Sequence, residues 1–260
     1  MARSEQEGGA EISADFVVDA SGSTRALGQH LGVYSHRAFE NRVAVYGWVP
    51  DPQGRATCPG DSWILAHPQG PWAWVTPFAD GTASLGVVGD VGWFLSRPID
   101  PRLCLDSAVQ EMPELRQRFG HVDVVEHAAR TSCWSRRAHP VSGPGWCLVG
   151  AAAGFVDPIF STGVTGAVVT GVLAARLIAR QLGGEAVPWA EAYGVPLRKS
   201  QEVKEAVVGA WYDGMLGPQL IRESIVDRNM HPIWEVICGI SRELEAALDT
   251  WTPTAAPAPP

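Results

Sequence analysis

Two hundred and sixty residues, 46% hydrophobic and 18% charged, suffice for one large domain or two small ones with a core that needs no staples. Such a composition excludes a mini-protein and a disordered chain, and without a long uninterrupted apolar run no membrane span is expected. A formal net charge of -8 opposes capture of phosphate backbones, so nucleic acid is not an expected partner.

In chain order, residues 11–20 read as a strand that ends in Ser21-Gly22-Ser23. Four β-like runs follow, at 42–48, 62–66, 72–78 and 83–89, separated by Pro, Asp and Gly turns, and their spacing predicts an antiparallel sheet. Residues 101–119 have helical spacing, with Leu103, Ala108, Met112 and Leu115 on the apolar side and Asp100 placed as N-cap, to cover one face of that sheet. Strands are expected at 131–138 and 145–150, the second apolar enough to be buried, and a long helix at 163–182. Buried strand, loop and helix is the order found at nucleotide sites. From 189 to 248 the pattern is helical, interrupted at Pro196, at 214–218 and at Pro232, and 252–260 is a Pro/Ala tail expected to be disordered.

Five scattered cysteines lack CxxC or Cys/His ligand spacing, which suits reduced buried thiols, and the polar opening 1–14 carries no signal peptide, so a cytoplasmic protein is expected. Eleven tryptophans offer material for an apolar ligand pocket as well as for core. Trp72 and Trp74 share one face of a strand, and Tyr46 and Trp48 pair similarly nearby; each is either core or cavity wall. His67, His121, His127 and His139 show no metal spacing, and no Gly-x-Ser-x-Gly elbow is present. Asp61 with His67 reads as an acid/base couple or as turn-stabilising groups. Arg136-Arg137 reads as a solvated or interface pair ahead of an anion clamp.

Three segments carry a resemblance. Ala14-Asp15-Phe16-Val17-Val18-Asp19-Ala20-Ser21-Gly22 with Leu27 and Leu31-Gly32, Trp72-Ala73-Trp74-Val75-Thr76-Pro77, and the run from Gly145 through Gly150-Ala151-Ala152-Ala153-Gly154-Phe155-Val156-Asp157-Pro158 to Val164 together resemble flavin-dependent halogenases and aromatic hydroxylases. The second is similar to the WxWxIP signature of the halogenase branch, with Thr76 in place of isoleucine. The resemblance implies an α+β fold, a partial FAD-oxidoreductase architecture. Remnant FAD-type residues lie at 1–34 and 131–184, an antiparallel substrate-side sheet at 35–130, a C-terminal helical cap at 185–251 and a tail at 252–260. In the third segment a strand stopping at Gly150, small residues to Gly154 and a helix starting near Gly163 aim N–H groups at an anion or an electron-rich ring, or form only a tight packing joint.

Departures from the family set the expectations for function. The G-x-G-x-x-G turn that cradles a pyrophosphate is missing, Ala151 stands where the family has an acid, and the only lysines, Lys199 and Lys204, sit in no halogenase-like motif. Losing several hydrogen bonds to charge weakens binding by orders of magnitude. The expected cofactor is therefore none, with FAD only if a partner chain completes the site, and Gly150, Ala151, Gly154, Asp157 and Gly163 are expected to be vestigial. An apolar ligand is expected between Phe155, Asp157 and Phe160 on one side and Tyr46, Trp48, Trp63 and Trp74 on the other, with Trp211 closing the cavity. The expected function is a cofactor-independent cyclase, of pericyclic type, for an apolar polyketide-like natural product. The alternatives are one subunit of a split FAD-dependent halogenase or monooxygenase and a non-catalytic binder, and the partner calls are a hydrophobic small molecule with either a homodimer or a second chain.

Overall fold

The computed structural model describes residues 12–35, 39, 41–51, 62–124, 126–132 and 135–216. Asp61, Pro232, the rest of the C-terminal helical region and the 252–260 tail lie outside the described residues.

The largest element is a five-stranded antiparallel sheet. Its strands are β3 (Arg42–Pro50), β4 (Trp63–Ala66), β5 (Trp72–Pro77), β6 (Thr82–Asp90) and β7 (Glu126–Ser132), in the order β4-β5-β6-β3-β7. Period-2 alternation sorts their side chains onto two faces. One face carries Val43, Val45, Val49, Ala73, Val75, Leu85 and Val87, all buried against Leu105, Ala108, Val109, Met112 and Leu115 of two helices. Those helices, α2 (Pro101–Glu111) and α3 (Pro113–Phe119), replace the single helix expected over 101–119. Met112 precedes a proline, whose ring disfavours the helical conformation for it, and the chain breaks there at ψ 104°. Asp100 caps α2 by accepting from the N–H groups of Arg102 and Leu103. Leu103 was expected on the apolar side but is 62% exposed, since the buried stripe runs through Cys104, Leu105, Ala108 and Val109 instead.

Two small sheets form the rest of the frame. β1 (Val17–Asp19) pairs in parallel with β10 (Trp146–Leu148), which also pairs with β9 (Ser142–Gly143). β8 (Arg136–Ala138) lies between β2 (Tyr34–Ser35) and β11 (Gly154–Phe155). The helix α1 (Ala26–His30) joins β1 to β2. The long helix α4 (Gly163–Leu182) buries Val169, Thr170, Leu173, Ala174 and Leu177 in a second core with Cys147, Leu148 and Tyr193. By length and composition α4 could cross a membrane, at a mean hydropathy of 1.4, where no such run was expected. Its buried face nonetheless packs on β10, while Val164 and Val168 are 78% and 60% exposed.

Pro196 does not interrupt the C-terminal helix. A π-helical turn, Ala190–Gly194, runs directly into α5 (Val195–Tyr212), and this local change of helical pitch lets the chain continue past Pro196, which has no N–H to donate. One side of α5 contributes Val207, Val208 and Trp211 to a third core that covers the second face of the large sheet. Two described cysteines, Cys104 and Cys147, are buried free thiols.

Candidate functional site

The segment leaving β10 is built from close approaches. Gly150 sits at φ 57°, in the region that favours glycine, and a Cβ there would stand 3.1 Å from the Ala167 side chain. Its N–H donates to Thr170 Oγ1 at 2.8 Å, which ties the turn to α4. At Gly154 a Cβ would meet Gln201 Nε2 at 1.9 Å, so α5 packs directly on the backbone. The chain then runs to Asp157, whose carboxylate accepts from the Ile159 N–H at 3.0 Å and caps the turn Pro158–Phe160. Beyond Ser161, held left-handed at φ 54°, α4 starts without a side-chain cap, and its first-turn N–H groups are free to meet an acceptor.

Asp157 also joins two distant elements. Tyr212, at the end of α5, donates its hydroxyl to Asp157 Oδ2 at 2.9 Å and accepts from Trp72 Nε1 at 3.1 Å. Burial, with the Asp157 charge adding to it, pushes the Tyr212 hydroxyl far above the usual phenol range, so it remains a donor. The Arg42 guanidinium lies 3.7 Å from the centre of the same ring. Tyr212→Phe strips a buried carboxylate of a donor and should lower stability by about 1–2 kcal/mol, read as a fall in the urea midpoint at constant slope.

The second face of the large sheet carries aromatics. Trp74 lies over Gly86, where a Cβ would meet its ring at 2.2 Å, and donates Nε1–H to Ser84 Oγ at 3.1 Å. Tyr46 and Trp72 stand 6.0 and 5.9 Å from the Trp74 ring. The face meets Val156, Ile159, Phe160 and Trp211 in the third core, so Tyr46, Trp74, Phe160 and Trp211 share one cluster beside the Asp157 loop. Trp48 is on the same face but at its edge, paired with Phe78 and with His127 at 4.2 Å.

Two of the expected wall residues go elsewhere. Trp63 pairs in register with Val75 and therefore projects to the opposite face, under the Arg118 guanidinium at 4.1 Å. Phe155 packs toward Gly163 and lines a cavity of about 50 Å³ between the loop, α4 and α5, together with Ala151, Gly154, Ser200 and Lys204. Burial pulls the Lys204 ammonium below the usual lysine range. His67 accepts from the Gln69 N–H in a turn.

Sequence reasoning missed Asp19 and Tyr212. Asp19 ends β1 and accepts from the N–H groups of Ser21, Leu27 and Gly28 and from the Ser21 hydroxyl. It stood inside a quoted motif, and its short-range partners were available as a signal. Tyr212 reaches Asp157 across 55 residues, and no local pattern announces that.

A family profile described as tryptophan halogenase matches residues 2–187. The chain is 29% identical over 182 residues to a 1H-pyrrole-2-carbonyl-[peptidyl-carrier protein] brominase of Pseudoalteromonas luteoviolacea, covering 67% of this chain and 44% of that protein. Among solved structures, a flavin-dependent brominase superposes with a TM-score of 0.75 at 22% identity, over 94% of this chain and 64% of that one. A halogenase in complex with FAD gives 0.69 at 16% identity, over 94% and 55%. The chain thus spans less than half the length of the curated brominase. These matches overturn the expectation of a protein without a cofactor, because they point to FAD. That expectation rested on the missing G-x-G-x-x-G turn together with Ala151, and the family match outweighs both.

Proposed function

The chain belongs to the tryptophan halogenase family, and from that premise we propose that it supplies the flavin-ring floor and the substrate wall of an FAD-dependent halogenase whose adenosine-binding unit lies outside residues 12–216. The observation that carries this reading is one shared cluster. Val156, Ile159 and Phe160 of the loop that leads into α4 pack on Ala44, Trp72 and Val88 of the aromatic sheet face, which sets a ring-binding floor beside an apolar wall.

The residues present fit the ring end of a flavin. Gly150 and Gly163 let the turn pack closely on Ala167 and Phe155, and the uncapped start of α4 offers N–H donors and a positive dipole end to an electron-rich ring edge. A bound flavin supplies the redox chemistry. The chain's own part is positioning: Trp74, pinned by Ser84 and Gly86, presents a fixed aromatic edge to a flat apolar substrate, and Tyr212 locks the Asp157 loop against the sheet. Among the described residues β1 pairs only with β10, and Val17 and Val18 are exposed, as are Val164 and Val168 on α4. These bare surfaces support a further layer of polypeptide there. Cofactor-independent ring closure is not carried forward, since no observation favours it and halogenases are redox enzymes.

Flavin content tests the reading. Co-expressed with the dinucleotide-binding unit of the Pseudoalteromonas brominase, the chain should retain FAD through gel filtration, and Gly163→Val, which crowds the head of α4, should release it. An assembled complex that holds no flavin would sink the proposal.

A further inference from the structure

We propose that the chain carries a second ligand site, for an aromatic carboxylate, in a cleft of about 840 Å³ formed by the 137–145 segment, the end of α4, the 187–190 linker and one face of α5. That volume is in the range of small-molecule sites, roughly 300–1,000 Å³. Helical spacing separates this cleft from the 50 Å³ cavity: Val195, Arg198 and Glu202 face the cleft, Leu197, Ser200 and Lys204 face the cavity, and Gln201 borders both. The site therefore lies apart from the Trp74 wall and does not rest on the flavin reading.

Three observations select the ligand. First, Arg137, His139 and Arg198 line the cleft against the single carboxylate of Glu202, in a chain whose net charge is -8. Second, Arg137 Nη1 is buried without a hydrogen-bond partner, although Glu205 stands 3.5 Å away as an ion-pair partner. A buried guanidinium nitrogen held only by a long ion pair gains from a closer acceptor, and a planar carboxylate matches its fork geometry. Third, the apolar wall is rigid. Trp189 donates Nε1–H to Gln181 at 2.6 Å and stacks on Phe16 with ring centres 5.0 Å apart, beside Val141 and Val187. A cationic end and a fixed indole suit a ligand with an acid at one end and a ring at the other. The sequence favoured a solvated or interface role for Arg137; in the fold it is partly shielded and lines this cleft.

Calorimetric titration of the full chain with 2-naphthoate and with 2-naphthamide tests the site. The acid should bind at least tenfold tighter than the amide, and Arg198→Gln, at an exposed position, should reduce that preference severalfold while leaving amide binding unchanged. A crystal soaked with naphthoate should place the carboxylate against Arg137. Absence of saturable binding, equal affinity for acid and amide, an unaltered preference in Arg198→Gln, or density outside the cleft would each overturn the proposal.

Discussion

Gly86→Ala should destabilise the protein by about 2–3 kcal/mol, a large effect for one methyl group. The position sits in β6 between Tyr46 on β3 and Trp74 on β5, and the Trp74 ring occupies the space a Cβ would need, at 2.2 Å. No rotation of a flexible chain end relieves that overlap, because the indole is held by Ser84 and flanked by Tyr46 and Trp72. The methyl must lift the ring, which breaks a hydrogen bond worth about 1 kcal/mol and uncouples packed aromatics. Glycine is otherwise a poor strand residue, so alanine alone would favour the sheet slightly. A double-mutant cycle separates the two effects. In a Trp74→Ala background the same change should cost less than about 0.5 kcal/mol, giving a coupling of about 2 kcal/mol between the sites. Additive urea midpoints would show that the ring is not seated on Gly86. If the flavin reading holds, Gly86→Ala should also lower halogenation more than flavin retention, because it moves the substrate wall and leaves the floor intact.

The sheet was legible because its strands are short alternating runs punctuated by turn residues, and Trp72 and Trp74 share a face for that reason alone. Trp63 shows where that legibility ends. Alternation fixes which residues of one strand point together, whereas register between strands decides which face that is, and Trp63 is opposite Val75 instead of Trp74. Helix ends failed for a similar reason. Pro196 reads as a breaker until the π-helical turn that runs into α5 is known, and Met112 reads as helical until the conformation forced by Pro113 is taken into account. At the site, the local cap of Asp157 on Ile159 was readable, but its bond to Tyr212 depends on how α5 folds back. Family resemblance gave the architecture. The cofactor expectation went astray by resting on the missing G-x-G-x-x-G turn, with Ala151 as a second ground, whereas the family match that points to FAD runs through the 145–164 segment.

Asp19→Asn should cost about 2–3 kcal/mol at neutral pH, with a dependence on pH that identifies the carboxylate as the cause. Both oxygens of this buried side chain are used: Oδ1 accepts from the Ser21 N–H and hydroxyl, Oδ2 from the N–H groups of Leu27 and Gly28 at 2.9 and 3.2 Å. Asparagine keeps one acceptor and turns an NH₂ group toward donors, leaving part of that set unmatched. Burial alone would raise the Asp19 carboxyl, but the bonds from Ser21, Gly28 and Leu27 together outweigh it and hold the group below the ordinary carboxylate range. A group depressed in the folded state contributes its stability above the unfolded value, near pH 4, and loses it as the pH falls through the lower folded value. The gap between wild type and Asp19→Asn should therefore stay constant from pH 7 to about 4 and close below that. A gap that persists at pH 2, or widens on acidification, would assign the loss to shape instead of charge. Flavin retention should respond as well, since Gly28 packs on the Tyr34 hydroxyl and that hydroxyl donates to the Ala152 carbonyl at 2.6 Å. Loosening the Asp19 turn thus frees the loop on which the ring end of the flavin would rest, so the variant should release FAD faster than wild type at pH 7, a difference that closes where the wild-type carboxyl is itself protonated.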